Sequence, residues 1–262
     1  MTNDEHGQRA GQLFDQHRRG MRFTPFTGSA TLPDLDAAYA VQEAFVRLLC
    51  AAEGTRVAGW KIGLTSPRMQ ALLGIDSPIA GAVLATRIQA SGSTFSRAAF
   101  GRFGLECEIA VRLGGDLPAA GAPYDVAAVA AAVEAVCAAI EIVDDRAADY
   151  TVTDIGSLVA DNSWNAGLVL GEFQTHWPDL AEVCGVVWRD GVEIDRGRGA
   201  DVLGHPFVPL AWLANHLAAR GQGLAAGDIV STGSLAPTRF PEAPERCRFT
   251  VAGIGAVELT VT

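Results

Sequence analysis

Residues 103–113, FGLECEIAVRL, change character at every second position. Cys107, Ile109, Val111 and Leu113 fall on one side of an extended chain, and Glu106, Glu108, Ala110 and Arg112 fall on the other. This is the period of a β-strand rather than the 3.6-residue stripe of a helix. A strand over 105–113 is therefore predicted, with two glutamates on one face about 7 Å apart. Like charges at that spacing repel unless water or a cation lies between them. On this stretch alone two readings stand: a solvated face of an antiparallel sheet, or a face that holds a cation.

Downstream, CAAIEIVDD (137–145) sets Glu141 between Ile140 and Ile142, directly after an alanine-rich apolar run. A carboxylate buried there must be protonated, hydrogen-bonded or paired with a cation. One divalent ion would serve all three glutamates. Oxygen-only donors suit a hard ion, Mg²⁺ or Mn²⁺, which keeps waters that a chelating substrate displaces. Periodicity does not by itself bring strand 105–113 beside strand 140–144.

Around these strands the order of elements is legible. Residues 34–53 have helical apolar spacing, with Asp34 as cap and Gly54 as stop, and a weaker helix precedes them at 6–19. VAGWKIGLTS reads as a short strand ending at Gly63, and SPRMQALLG as a helix capped by Ser66 and closed by Gly74. Further strands are predicted at 83–87, 140–144, 166–171, 183–195 with a tight turn at Asp190-Gly191, 228–232, 247–252 and 255–261. Helices are predicted at 125–139 and 209–220. The fold class is α+β with a mixed, rolled sheet. It divides into a helical N-terminal region, 1–80, whose short strand carries Lys61, and a β-rich catalytic core, 81–262.

Composition narrows the function. The 262 residues are 49% apolar and 19% charged, an ordinary globular balance. A net charge of −10 argues against a binder of nucleic-acid backbone. The opening MTNDEHGQRAGQLF lacks the basic and apolar regions of a signal peptide, and Glu134 and Glu141 interrupt the longest apolar run, so a cytoplasmic protein with no membrane span is expected. Five scattered cysteines form no C-x-x-C pair, and five histidines show no zinc-ligand spacing. No glycine-rich nucleotide loop is present.

Lys61 is the single lysine beside nineteen arginines. Codon drift explains such a survivor, and so does chemistry: arginine cannot replace lysine where a compact ammonium must pack against a reacting group or give up its proton.

Taken in order, GWKIGLTS, ECEIAV, AIEIVDDR, DNSWNAGLVLG, HPFVPLAWLANHLA and AAGDIVSTGS resemble the hydratase and decarboxylase branch of the fumarylacetoacetate hydrolase superfamily over roughly residues 34–260. The resemblance implies a rolled β-sheet core, a homo-oligomer, and Mg²⁺ or Mn²⁺ held by Glu106, Glu108 and Glu141. It matches Lys61 to the family's active-site lysine, which favours chemistry over drift. It also matches Ser234 to a position lining the substrate end of the pocket, and Asp161 and Asn162 to a loop over the site. The implied substrate is a small 2-oxo or 2-hydroxydienoic acid from the breakdown of aromatic compounds, and the implied reaction is hydration.

Some residues depart from that pattern. DSPIAG puts Ile79 where many hydratases of the branch carry an aspartate, Trp164 replaces a smaller residue, and STGSLAPTRF differs from the usual ending. An isoleucine cannot move a proton. A 4-oxalocrotonate-type decarboxylase is therefore the alternative, and a third reading is an inactive partner subunit in a complex with a homologous pathway enzyme.

Overall fold

In the computed structural model, which describes residues 1–262, two helices precede the first strand: α1 (Asn3–Arg18) and α2 (Leu35–Glu53). Asp34 accepts from the Ala37 N–H at the start of α2, which ends at Gly54 as its sequence signals predict. β1 (Val57–Gly63) carries Lys61, and α3 (Pro67–Leu73), capped by Ser66, leads to β2 (Ile79–Leu84). Two short strands, β3 (Ile88–Ala90) and β4 (Ser93–Phe95), precede β5 (Phe103–Leu113). Then come α4 (Val126–Ala132), β6 (Val133–Asp144), α5 (Ile155–Ala160) and β7 (Asn165–Leu170). The hairpin β8 (Cys184–Arg189) and β9 (Val192–Arg198) turns at Asp190-Gly191. α6 (Phe207–Ala219), β10 (Ile229–Ser234), β11 (Glu245–Val251) and β12 (Gly255–Val261) complete the chain.

The helix expected over 125–139 is corrected. Only Val126–Ala132 is helical, and VEAVCAAIEIVD is one long strand. Its alanines favour helix only weakly, whereas β6 pairs with β5 along its length and with β7 on its other side. A strand buried on both faces reads as a continuous apolar run, which periodicity cannot separate from a buried helix. The expected strand at 83–87 also moves upstream, to Ile79–Leu84.

Seven strands form one mixed sheet in the order β2-β1-β10-β5-β6-β7-β3, and five form a second in the order β4-β12-β11-β8-β9. The second sheet packs against β6 and β7 of the first, and the main core lies between them. Cys107, Ile109, Val111 and Leu113, the apolar side of the alternating stretch, belong to that core. The first sheet curls until β2, at one end, touches β7 near the other. On its inner face Val83, Ala110, Cys137, Ala139, Leu168 and Leu170 form a separate small apolar cluster. No helix among the described residues is long and apolar enough to cross a membrane.

Candidate active site

The strand registers assemble the site. Glu106 stands opposite Glu141 in the β5–β6 ladder, Ser234 opposite Glu108 in the β10–β5 ladder, and Lys61 opposite Ser231 in the β1–β10 ladder. Register partners share a face. Four strands thus bring one ammonium and three carboxylates to the inner face of the roll, beside its small apolar cluster. One oxygen from each of Glu106, Glu108 and Glu141 lies within 4.8 Å of the others, and no second cluster of this kind occurs among the described residues.

Each buried carboxylate is half satisfied. Glu108 Oε2 accepts from Ser231 Oγ at 2.5 Å and from the Gly233 N–H at 2.8 Å, while its Oε1 is buried without a partner. Glu141 Oε1 accepts from Asn165 Nδ2 at 2.9 Å and faces Lys61 Nζ at 3.3 Å, while its Oε2 is buried without a partner. Glu106 is half-buried and accepts from Thr238 Oγ1 at 2.5 Å. Gly233 has φ +121°, and a Cβ there would sit 2.1 Å from Thr65 Oγ1, so only glycine can present its N–H to Glu108.

The electrostatics follow from burial. Desolvation, reinforced by the charges of Glu141 and Glu106, pushes the Glu108 carboxyl well above the usual range. Desolvation pushes Glu141 up to about 7, although Lys61 pulls it down. Burial also disfavours the Lys61 ammonium, yet Glu141, Glu106 and Glu108 together hold its pKa above the ordinary value. Three acids against one cation leave the site short of positive charge. Two bare buried oxygens and an all-carboxylate donor set fit a hard divalent cation, which would satisfy both oxygens at once.

Ile79 borders the same place. A Cβ added at Gly63 would meet Ile79 Cγ1 at 3.3 Å and Lys61 Nζ at 3.4 Å, so isoleucine and ammonium flank the same stretch of backbone. Ser234 hydrogen-bonds main-chain carbonyls rather than the acids, donating to Ala236 at 2.6 Å and reaching Cys107 at 3.3 Å. Asp161 is taken up elsewhere: its oxygens bind His17 Nε2 and Arg146 Nη2, each at 2.6 Å. Asn162 seals the free edge of β2, accepting from the Ala82 N–H at 2.7 Å and donating to the Ala82 carbonyl at 2.9 Å. His205 accepts from the Phe207 N–H at the start of α6, and His216 stacks on Trp212 with its pKa lowered by burial to about 4; neither contact involves the acids.

Asn165, Ser231, Gly233 and Thr238 touch the glutamates and were not among the residues expected from sequence. Asn165 carries the signal that exposed Glu141, a polar side chain opening an apolar strand, NAGLVL. Ser231 and Gly233 lie within the STGS motif from which only Ser234 was singled out.

Residues 74–262 match the fumarylacetoacetate (FAA) hydrolase C-terminal family. The chain belongs to the fumarylacetoacetate hydrolase family. Within that family it is 34% identical over 255 residues to a 2-keto-4-pentenoate hydratase of Burkholderia vietnamiensis, covering 97% of this chain and 96% of the relative. It is 33% identical over 260 residues to a 2-hydroxyhexa-2,4-dienoate hydratase of Comamonas testosteroni, covering 98% and 96%. Among solved structures, a 4-oxalocrotonate decarboxylase from Pseudomonas putida G7, complexed with magnesium and adipate, superposes with a TM-score of 0.93 at 26% identity, covering 100% of this chain and 99% of that one. The likeness to that structure thus spans the whole chain, including its N-terminal helices.

Proposed function

We propose that this protein is a Mg²⁺- or Mn²⁺-dependent hydro-lyase that hydrates a small 2-hydroxydienoic or 2-oxo-enoic acid from aromatic catabolism. The reading rests on one observation above the others: three glutamates bring one oxygen apiece within 4.8 Å of one another, two of them buried with an unpartnered oxygen, beside the chain's only lysine. Glu106, Glu108 and Glu141 would hold the cation. When bound, the cation supplies a Lewis acid that polarises a 2-oxo group and stabilises the enolate charge developing there.

The chain's own groups supply the rest. Ser231 and Gly233 fix Glu108, and Asn165 and Lys61 fix Glu141, so the acids are oriented before substrate arrives. Lys61, buried and held charged by its three acidic neighbours, places a proton donor at the reacting carbon skeleton. Ile79 and the apolar cluster on the roll's inner face keep bulk water from the ammonium. In this reading residues 1–80 contribute Lys61 and residues 81–262 contribute the acids, in a cytoplasmic homo-oligomer.

A second reading, decarboxylation of a 2-oxo-enedioate, is favoured by Ile79. Loss of CO₂ needs an electron sink but no acid at position 79 to direct water. The relatives at 33–34% identity carry hydratase names, and the solved structure superposed above is of a 4-oxalocrotonate decarboxylase.

An NMR time course of the purified protein with Mg²⁺ separates the two readings. With 2-hydroxypenta-2,4-dienoate, appearance of 4-hydroxy-2-oxopentanoate is the expected result. CO₂ release from 2-oxohex-3-enedioate without hydration of the dienoate would replace the hydratase reading with the decarboxylase. Silence with both substrates while Mg²⁺ binds would remove both, and a subunit active only with a homologue would then account for the intact site.

A further inference from the structure

The amide of Asn165 reaches Glu141 from an unusual piece of backbone. Asn162, Ser163 and Trp164, immediately before β7, have φ of 53°, 50° and 58°. Three successive non-glycine residues in the left-handed region are strained, and such a run persists only where its surroundings over-determine it. Here they do. Asn162 exchanges two hydrogen bonds with Ala82, and Ser163 Oγ donates to the Ala80 carbonyl at 2.8 Å. Trp164 is held edge-on by Phe23 and Tyr150, with ring centroids 5.3 and 5.7 Å away. A Cβ on Gly81 would lie 2.6 Å from the Asn162 carbonyl oxygen, so the turn is pressed onto β2.

The turn ends at Asn165. There the β6–β7 ladder slips: Ile142 pairs with Gly167, but Val143 pairs with Asn165. Asn165 is 6% exposed and donates through Nδ2 to Glu141 Oε1, the same oxygen that faces Lys61 Nζ. Its own Oδ1 is buried without a partner. The two donors converge on one oxygen of Glu141 and leave the other bare. Lysine alone, a rotatable point charge, does not distinguish the two oxygens; a planar amide fixed by a strained turn does.

We propose that Asn165 is a positioning residue that locks the Glu141 carboxylate with Oε2 toward the cation. The inference rests on the divalent site proposed above. A group that orients a metal-binding side chain contributes about ten- to hundredfold to metal affinity.

Calorimetric titration of Mg²⁺ into wild type, Asn165→Ala, Asn165→Leu and Glu141→Gln tests it, with melting of each protein in EDTA alongside. Both Asn165 variants should bind Mg²⁺ about ten- to hundredfold more weakly while melting in EDTA close to wild type. Leucine keeps the branched outline of asparagine and lacks its donor, so wild-type affinity in Asn165→Leu would mean that packing, not the hydrogen bond, matters, and would overturn the proposal. Wild-type affinity in both variants would overturn it as well. If wild type takes up no Mg²⁺, or Glu141→Gln binds as tightly as wild type, the divalent site itself fails and this inference with it. Weakened binding in both Asn165 variants, with tight binding by wild type, supports the two together.

Discussion

Two groups of buried acids in this protein are treated in opposite ways. Around Glu108 and Glu141 three carboxylates share one lysine, and two buried oxygens have no partner. Around Asp145 and Asp161 every carboxylate oxygen is taken. Asp161 binds His17 and Arg146, and Asp145 binds Arg102, the Tyr150 hydroxyl and the Ala147 N–H. The cations differ too. The satisfied group uses arginine, whose planar fork matches a carboxylate with several parallel donors; the unsatisfied group uses the one lysine, a compact charge that leaves oxygens free. Burial of acids therefore does not mark a site. Among these acids, a buried oxygen without a partner does.

If that contrast is right, removing the lysine should affect turnover most. Lys61→Met keeps an unbranched stem of similar length and deletes the ammonium. Turnover should fall by about two to four orders of magnitude, the range of a positioned proton donor. Mg²⁺ affinity should hold or rise, because a competing positive charge has gone. Steady-state kinetics and calorimetry on one preparation read both quantities, and turnover within threefold of wild type would return Lys61 to codon drift.

The two acid groups should also respond oppositely to neutralisation. Asp161→Asn strips the charge facing Arg146, a guanidinium whose side chain is 3% exposed. Breaking a buried pair from one side costs about 3–5 kcal/mol, and denaturant melts should show that loss. Glu108→Gln relieves repulsion instead. Its amide oxygen can accept from Ser231 and Gly233, and its NH₂ can face the remaining acids. In EDTA this variant should be at least as stable as wild type, while Mg²⁺ binding falls by about a hundredfold or more, beyond the loss typical of a group that only orients a ligand. Equal destabilisation by both substitutions would dissolve the distinction.

How far this could be read from sequence depends on what each element needed. β5 was legible because one of its faces is wholly apolar while the other carries Glu106, Glu108 and Arg112, so FGLECEIAVRL shows its period although both faces are largely buried. β6 was not, because both of its faces are apolar apart from Glu134 and Glu141, which leaves little alternation to read, and its alanines suggested helix. The caps at Asp34 and Ser66 were legible as local hydrogen bonds, each made within three residues. The left-handed turn at 162–164 was not, since in NSW only asparagine favours that conformation, and contacts from β2, Phe23 and Tyr150 impose it on the residues that follow. Asn165 depends on that turn and was missed with it. The glutamates stood out as charges among apolar neighbours, but their convergence is a property of register, which alternation alone does not specify.

The smallest effect is expected from His17, the point where α1 reaches the satisfied group. Its imidazole bonds Asp161 at 2.6 Å and packs on the Phe45 ring at 4.9 Å, but the side chain is 27% exposed and Asp161 keeps Arg146 when it is gone. His17→Ala should therefore cost about 1–2 kcal/mol, that of a hydrogen bond to a charged group reduced for partial exposure. Mg²⁺ affinity and turnover should stay at wild-type values, because no side chain of the unsatisfied group touches His17, Arg146 or Asp161 through a hydrogen bond. A tenfold drop in metal affinity in this variant would mean that strain in the 162–164 turn is transmitted from α1 to Asn165, and the two groups would then be one unit with a satisfied end and an open end.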